Sequence, residues 1–121
     1  MAEFSSQPST PATVILVTRN GMGEMSPELQ QTLVTKYFQL LLADGRLPAA
    51  VCFYADGVRL ACDGSPLLDT LQALEDRGVP LIVCTTCLTA LDLLERRKVG
   101  IAGSMPDIID AQWRADKVIT I

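Results

Sequence analysis

The stretch GVPLIVCTTCL, residues 78–88, decides the fold class. It opens with a glycine that ends a helical pattern, and it continues as an uninterrupted apolar run over residues 79–84. An apolar run without polar alternation is typical of a parallel strand that is covered on both faces. The stretch therefore predicts a buried strand that turns directly into a helix, with Cys84 and Cys87 at the turn.

The same alternation of strand and helix extends to both sides of this stretch. Further strands are predicted over residues 13–18, 49–54 and 117–121, and residues 99–102 are predicted to form a short strand or an extended link. Helices are predicted to begin at Ser26-Pro27, at Ser65-Pro66, at Thr85 or Thr86 and at Ser104. Strands and helices thus alternate about five times with short connections, which favours right-handed crossovers and a parallel sheet. We predict an α/β fold with three layers (α/β/α) and a five-stranded parallel sheet in the flavodoxin-like order 2-1-3-4-5.

This strand order has a consequence for the site. Strands one and three would be neighbours where the order reverses, and ligand crevices open at the carboxyl ends of such strands. Because Arg19 and Asn20 follow the first strand, we expect them to lie beside Cys84 as substrate-binding residues.

Length and composition indicate one domain. The 121 residues suffice for a single core, and residues 1–12, rich in Ser, Pro, Thr and Gln, read as a flexible tail ahead of a domain over residues 13–121. No apolar run reaches the roughly 18 to 20 residues of a membrane span, and the first residues do not resemble a secretory signal. We expect a cytoplasmic protein that does not bind membranes.

The charge pattern argues against nucleic acid as a partner. The formal charge is −4, and the only basic cluster, residues 96–98, lies at a predicted helix end where cations favour the helix dipole. An acidic domain with few aromatic residues offers little that would hold a phosphate backbone.

Four cysteines and the absence of histidine restrict the chemistry. Without imidazole, Cys-His and Ser-His catalysis are excluded, and the commonest metal ligand is missing. A zinc site would also have to recruit Cys52 and Cys62, and Cys52 lies within a predicted strand, so we expect neither a metal nor a cofactor. A thioredoxin-like dithiol does not fit either, because the Cys-x-x-Cys motif follows the third strand of an all-parallel pattern.

The thiol turn is the candidate site. A cysteine becomes a nucleophile as its thiolate, and amide N–H groups can lower its pKa from about 8.5 toward 7. Cys84 stands where the strand ends and a side chain can face the crevice, so we expect its sulfur to be ionised and reachable, with Thr85, Thr86 and nearby amides stabilising the charge. The alternative is that Cys84 and Cys87 are both small buried hydrophobic residues.

Several segments carry a family resemblance. They are FYADGV (residues 53–58), GVPLIVC (78–84), CTTCL (84–88) and ADKVI (115–119). Over residues 14–121 the chain resembles the DsrE/DsrF/TusD-like superfamily, and most closely the C-terminal DsrE-like domain of YedF-type selenium-metabolism proteins. CTTCL is similar to the YedF-type Cys-Gly-Thr-Cys-Leu, with Thr85 replacing the glycine.

The resemblance implies a sulfur-relay protein, a possible sulfurtransferase-like carrier of sulfur or selenium metabolism. Cys84 matches the cysteine that receives sulfur as a persulfide, and we expect Cys87 to act as a resolving thiol. The resemblance also implies a homo-oligomer, as a trimer or hexamer, and a persulfide donor such as a TusA-like carrier acting in trans, since the TusA-like domain of YedF proteins is replaced by the short tail. The rival hypotheses are an oligomeric module of the same fold that binds a small ligand or partner without a catalytic cysteine, and a structural subunit.

Overall fold

The computed structural model describes residues 11–121, so the tail predicted for residues 1–12 lies almost wholly outside the described residues. The strands are Thr13–Val17 (β1), Ala50–Phe53 (β2), Leu81–Cys84 (β3), Ile101–Gly103 (β4) and Lys117–Thr120 (β5). The α-helices are Pro27–Asp44 (α1), Leu68–Asp76 (α2), Thr85–Ala90 (α3) and Met105–Arg114 (α4), and two 3-10 helices span Ala55–Ala61 and Leu94–Arg96. Within residues 11–121, every helix is too short or too polar to span a bilayer.

The five strands form one parallel sheet with helices on both sides, which confirms the predicted fold class. The chain moves in one direction across the sheet from β1 to β4 and then returns to place β5 on the far side of β1. Right-handed crossovers therefore put α1, α2 and α3 on one face, here called the first face, and α4 alone on the second face.

The predicted strand order 2-1-3-4-5 is wrong. The observed order is β4-β3-β2-β1-β5, with β2 between β1 and β3 and with Val51 beside Leu81 in the register. Hydrophobic patterning shows that a strand is buried on both faces, but it does not determine whether the second crossover moves onward from β2 or back past β1. The point where strand order reverses consequently lies between β1 and β5.

The core is concentrated around the central strands. All residues of β2 and β3 are buried, and on the first face Val34 and Phe38 of α1 and Leu71 of α2 are fully enclosed. On the second face, Ile108 of α4 is buried near β3, with which α4 is in contact. A single ten-residue helix thus covers this face, and it leaves apolar side chains exposed at the sheet edges.

Two of the predicted helix starts are confirmed. The Ser26 hydroxyl accepts a hydrogen bond from the Leu29 N–H at 3.3 Å, ahead of Pro27 in the first turn. At α4, Ser104 and Asp107 form a capping box, and the Ser104 N–H that donates to Asp107 holds the pKa of this carboxyl below its ordinary value.

Two other helix predictions are wrong in their bounds. The Ser65 hydroxyl accepts from the Leu67 N–H, which stabilises a turn, and α2 begins only at Leu68. After β3, the helix predicted to begin at Thr85 or Thr86 is short and ends at Ala90, and Asp92 adopts a left-handed backbone with φ +57°. Cys84, not a threonine, occupies the N-cap of this short helix, without a side-chain capping bond.

Gly57 permits the closest approach between the first 3-10 helix and the sheet. A Cβ atom at this position would lie 2.0 Å from the Val17 carbonyl oxygen, a backbone atom that cannot turn aside. We expect Gly57→Ala to lower the free energy of unfolding by about 2 kcal/mol or more. Gly64→Ala is the matched control, because its Cβ meets nothing within 4 Å and only the strain of φ +86° remains, costing about 1 kcal/mol. Urea denaturation of both variants tests this, and equal losses would contradict it.

Cys52 in β2 should make stability fall at alkaline pH. Burial raises the pKa of this thiol from 9.0 to about 11. The pKa of Cys52 is higher in the folded protein than in the unfolded chain. Its contribution to the free energy of unfolding, on the order of 2 kcal/mol, is therefore fully present below pH 9 and is lost as the pH rises to about 11. Between pH 9 and about 11, the free energy of unfolding should fall less in Cys52→Ala than in wild type. Val51→Ala truncates the neighbouring core residue and should show the same dependence of the free energy of unfolding on pH as wild type. Denaturation curves at increasing pH test this, and parallel slopes for wild type and Cys52→Ala would refute it.

Candidate thiol site

Cys84 is the last residue of β3 and pairs with Gly103 of β4 in the sheet register. Its side chain points to the second face, as does that of Ile82 two residues earlier. It is only 1% exposed, so the expectation that its sulfur is reachable is wrong for this chain. A bulky donor therefore meets Cys84 only after the surrounding structure has opened.

Cys87 lies in the first turn of α3 and is partly exposed. Its sulfur accepts a hydrogen bond from the Ala55 N–H, with 3.1 Å between nitrogen and sulfur. Ala55 follows β2 and adopts a left-handed backbone with φ +52°, an uncommon conformation for a residue with a Cβ atom. Such strained residues cluster at functional sites, and here the amide of the strained residue is the one that meets the thiol.

The Cys84 thiol lies close enough to Cys87 to affect the ionisation of the Cys87 thiol. Burial, the largest cause, raises the pKa of Cys87 above its ordinary value of 9.0, the Ala55 N–H lowers it, and the neighbouring Cys84 thiol raises it further. One amide does not offset the burial, so Cys87 holds its proton at neutral pH. Cys87 is therefore a partly shielded thiol rather than a preformed thiolate.

The two threonines of the motif have different surroundings. The Thr85 hydroxyl donates to the Gly103 carbonyl at 2.9 Å, which ties the start of α3 to the end of β4. Thr85 therefore holds the turn in place, and its hydroxyl proton is already engaged. Thr86 is exposed and open to a partner or ligand.

Arg19 and Asn20 do not lie where they were predicted. They follow β1, and β2 separates β1 from β3, so their strand ends about 10 Å from the end of β3. The Arg19 guanidinium turns back to its own loop, where it donates to the Gly23 carbonyl at 2.8 Å and lies 3.7 Å from Glu24. The prediction that these residues flank Cys84 is wrong, because it followed from the wrong strand order.

The residue that sequence reasoning missed is Ala55. Ala55 contributes its backbone N–H, which the types of side chain in a sequence do not predict. No sequence pattern predicts a left-handed backbone conformation at an alanine either. The only indirect signal is its place in the segment FYADGV, directly after the second strand.

The other two cysteines are engaged within their own elements. Cys62 donates to the Val58 carbonyl one turn earlier, with 3.2 Å between sulfur and oxygen, and burial raises its pKa. Cys52 is enclosed in β2. Across residues 11–121, no three His, Cys, Asp or Glu side chains come together as metal ligands would.

The fold and the site define a class of protein: a three-layer α/β/α domain with a parallel sheet and a dithiol at the carboxyl end of its third strand. Residues 30–121 match the DsrE/DsrF-like family, and the chain belongs to that family.

Solved structures support the fold. The chain is similar to the YchN protein of E. coli, with a TM-score of 0.64 and 18% identity over 90% of this chain and 98% of that one. It is also similar to the protein of unknown function MTH1491 from Methanobacterium thermoautotrophicum, with a TM-score of 0.66 and 18% identity over 90% and 97% of the two chains. No curated protein matches the sequence. The finer resemblance to YedF-type domains stays a prediction.

The burial of the two thiols predicts the order in which they react. Treated with a small alkylating reagent in the native state, Cys87 should be labelled well before Cys84, because only Cys87 is partly exposed. The Cys87 rate should rise with pH through a midpoint above 9.0, and Cys84→Ala should move this midpoint down by removing a neighbour that raises the pKa. Peptide mapping by mass spectrometry measures both rates, with Cys62→Ala as the control expected to leave the midpoint unchanged. Equal labelling of the two cysteines would contradict the arrangement.

Proposed function

We propose that this protein is a sulfur carrier that receives sulfane sulfur from a persulfide donor on the Cys84–Cys87 pair and passes it on. The observation that carries the proposal is the closeness of two thiols at the end of β3: Cys87 is partly exposed and accepts the Ala55 N–H, and Cys84 beside it is buried. Membership of the DsrE/DsrF-like family supports it, since the sulfur-relay proteins form part of that superfamily.

Burial favours Cys87 as the thiol that first meets the donor, in place of the entry role that the sequence suggested for Cys84. The Cys87 thiolate attacks the terminal sulfur of the donor persulfide, a new S–S bond forms at Cys87, and the S–S bond of the donor breaks. The donor leaves as a thiolate and takes up the proton that Cys87 released. The Ala55 N–H, 3.1 Å from the Cys87 sulfur, stabilises the negative charge on that sulfur before the attack.

Cys84 is then positioned for a second step. If its thiolate attacks the terminal sulfur of the Cys87 persulfide, the sulfane sulfur moves to Cys84 and Cys87 is regenerated as a thiolate. If it attacks the inner sulfur, a Cys84–Cys87 disulfide forms and hydrosulfide leaves, which is the resolving reaction predicted from the sequence with the two roles exchanged. The first route stores sulfur in a site that is 1% exposed, away from competing thiols.

The partners belong to the same proposal. The donor would be a persulfidic carrier of the TusA-like kind acting in trans, and the exposed Thr86 beside Cys87 would contact either the donor or the incoming sulfur. The protein would work as a homo-oligomer, a trimer or hexamer, in the cytoplasm, with no cofactor, and with sulfur or selenium as its cargo.

Mass spectrometry of the intact protein tests the transfer. After incubation with a low-molecular-weight persulfide and removal of the excess, wild type and Cys62→Ser should gain the mass of one sulfur atom, and Cys87→Ser should not. Cys84→Ser should gain sulfur and lose it faster to added thiol, because the bound sulfur stays at the partly exposed position. Loading of Cys87→Ser to the wild-type level would overturn the assignment of Cys87, and the absence of loading in wild type would overturn the carrier function.

A ligand-binding module with inert cysteines is the second candidate, and one cavity favours it. About 350 Å³ lies between α4 and the amino ends of the central strands, lined by apolar groups such as Val14, Ile82 and Ala111 with Arg114 at its side. This cavity opens at the other end of the strands from the thiol pair. A sulfur-loading experiment that fails in wild type, together with slow alkylation of both cysteines, would favour this function.

A further inference from the structure

A cavity of about 540 Å³ lies between α1 and the edge strand β5, and it is called here the α1 cavity. Its volume is in the range of sites that hold a small molecule. Ile15 of β1 lines the α1 cavity, whereas its neighbour Val14 lines the cavity beside α4. Because alternate residues of a strand point to opposite faces, the two cavities lie on opposite sides of the sheet. The α1 cavity is therefore a separate candidate for a binding site, and the thiol pair takes no part in it.

The topology explains why this cavity is apolar. The crossovers from β1 to β4 lead away from β5, so α1 lies over β1 and β2 and leaves the first face of β5 partly uncovered. Ile119 of β5 pairs with Ile15 of β1 on that face, and Leu41 of α1 lines the same space. Tyr37, one helical turn before Leu41, adds its ring to the lining, and this ring meets Phe38 edge-on with 5.4 Å between the ring centroids. The fold thus provides a preformed apolar surface at this edge of the sheet.

The charged residues that line the α1 cavity are both cationic. Lys117 is the first residue of β5, and Arg46 lies in the loop that leads from α1 into β2. Since the strands are parallel, both residues lie at the amino edge of the sheet. Among residues 11–121, no carboxylate lines this cavity, whereas Asp107 and Asp110 line the cavity beside α4. The charges of the α1 cavity therefore favour an anion.

The carboxylates nearby in the chain leave these two cations accessible. Arg46 Nε lies 3.8 Å from Asp44, but the two side chains are 77% and 59% exposed, so this ion pair contributes little. Asp116, next to Lys117, accepts a hydrogen bond from the Ala12 N–H at 2.9 Å. Within residues 11–121, the Lys117 ammonium forms no ion pair. An anion at the amino edge can thus contact both cations without displacing a strong partner.

We propose that the α1 cavity binds a small molecule with an apolar body and one anionic head group, of the class of medium-chain carboxylates. The head group lies at the amino edge and is bound by Arg46 and Lys117. The apolar body lies along Ile15, Leu41 and Ile119, which removes it from water. Ile119 is two residues beyond Lys117, about 7 Å along the strand, so the charged and apolar parts of the site are separated as they are in such a ligand.

Titration calorimetry with octanoate, octanol and octylamine tests the class of ligand. The three compounds share one apolar chain and differ in the charge of the head group. Wild type should bind octanoate more tightly than octanol by about fivefold or more, and it should bind octylamine most weakly because both cations repel it. The preference for octanoate should decrease at high salt, which screens exposed charges. Equal affinity for the three compounds, or no binding of octanoate, would overturn the proposal.

Amide chemical shifts locate the bound octanoate. The signals of Ile15, Leu41 and Ile119 should move during the titration. The signal of Ile108, which is buried under α4 on the second face, should stay in place. Shifts confined to Ile108 and to Ala111, which lines the cavity beside α4, would place the ligand on the wrong face and refute the assignment.

A pair of variants on β5 tests the apolar part of the site. Ile119→Trp fills the cavity and should abolish the binding of octanoate. Val118→Trp is the matched control, because this neighbouring side chain is 42% exposed on the opposite face of the sheet and its replacement should leave the affinity unchanged. Circular dichroism checks that both variants are folded. Equal affinity of the two variants for octanoate would contradict the proposed position of the ligand.

A second pair tests the head-group contact without altering the apolar lining. Lys117→Gln should weaken the binding of octanoate by about fivefold and should change the binding of octanol little. Arg114→Gln is the matched control, since it removes an exposed cation from the cavity beside α4 and should leave both affinities unchanged. Both residues are exposed, so the result does not depend on how well Ile119→Trp folds. An equal loss in Lys117→Gln and Arg114→Gln, or a loss in neither, would overturn the role of Lys117.

Discussion

The parallel pairing of β2 with β3 is the constraint on which the rest of the structure depends. It sets Val51 beside Leu81 and Phe53 beside Val83, so the two strands end next to each other. The residue that follows β2 therefore meets the turn that follows β3, and the Ala55 N–H reaches the Cys87 sulfur. With β1 between them, as in a 2-1-3 order, this hydrogen bond would not form and the strained alanine would have no partner at the thiol.

The same progression of strands explains the unequal covering of the sheet. Three crossovers in one direction place three α-helices on the first face, and the single return from β4 to β5 places one on the second. All residues of β2 and β3 are buried within the single chain, and the exposed apolar side chains Ile101 and Val118 belong to the edge strands β4 and β5. The outward side of α4 exposes Met105, Ile109 and Trp113 to solvent.

The sequence was sufficient for the elements of this fold but not for their arrangement. The apolar run over residues 79–84 and the hydroxyls of Ser26 and Ser104 act locally, so burial, parallel strands and helix starts followed from them. Which strands pair with each other depends on the packing of the whole sheet. A crossover of the same length can connect the strands in either order. The errors at Arg19 and Asn20 follow from that one ambiguity. The role of Ala55 could not be predicted for a different reason. It depends on a backbone N–H and on a left-handed backbone conformation, and neither follows from the pattern of side chains.

The raised pKa of Cys87 bears on how such a site works without an assisting base. Thiol exchange depends on the thiolate fraction and on intrinsic nucleophilicity, and nucleophilicity rises with pKa less steeply than the thiolate fraction falls. The Cys87 thiol is therefore expected to react slowly with small oxidants and alkylating reagents at neutral pH. The chain has no histidine to take the proton of Cys87. In the proposed transfer, the proton of Cys87 would pass to solvent or to the leaving thiolate of the donor, because no side chain of this kind stands ready to take it.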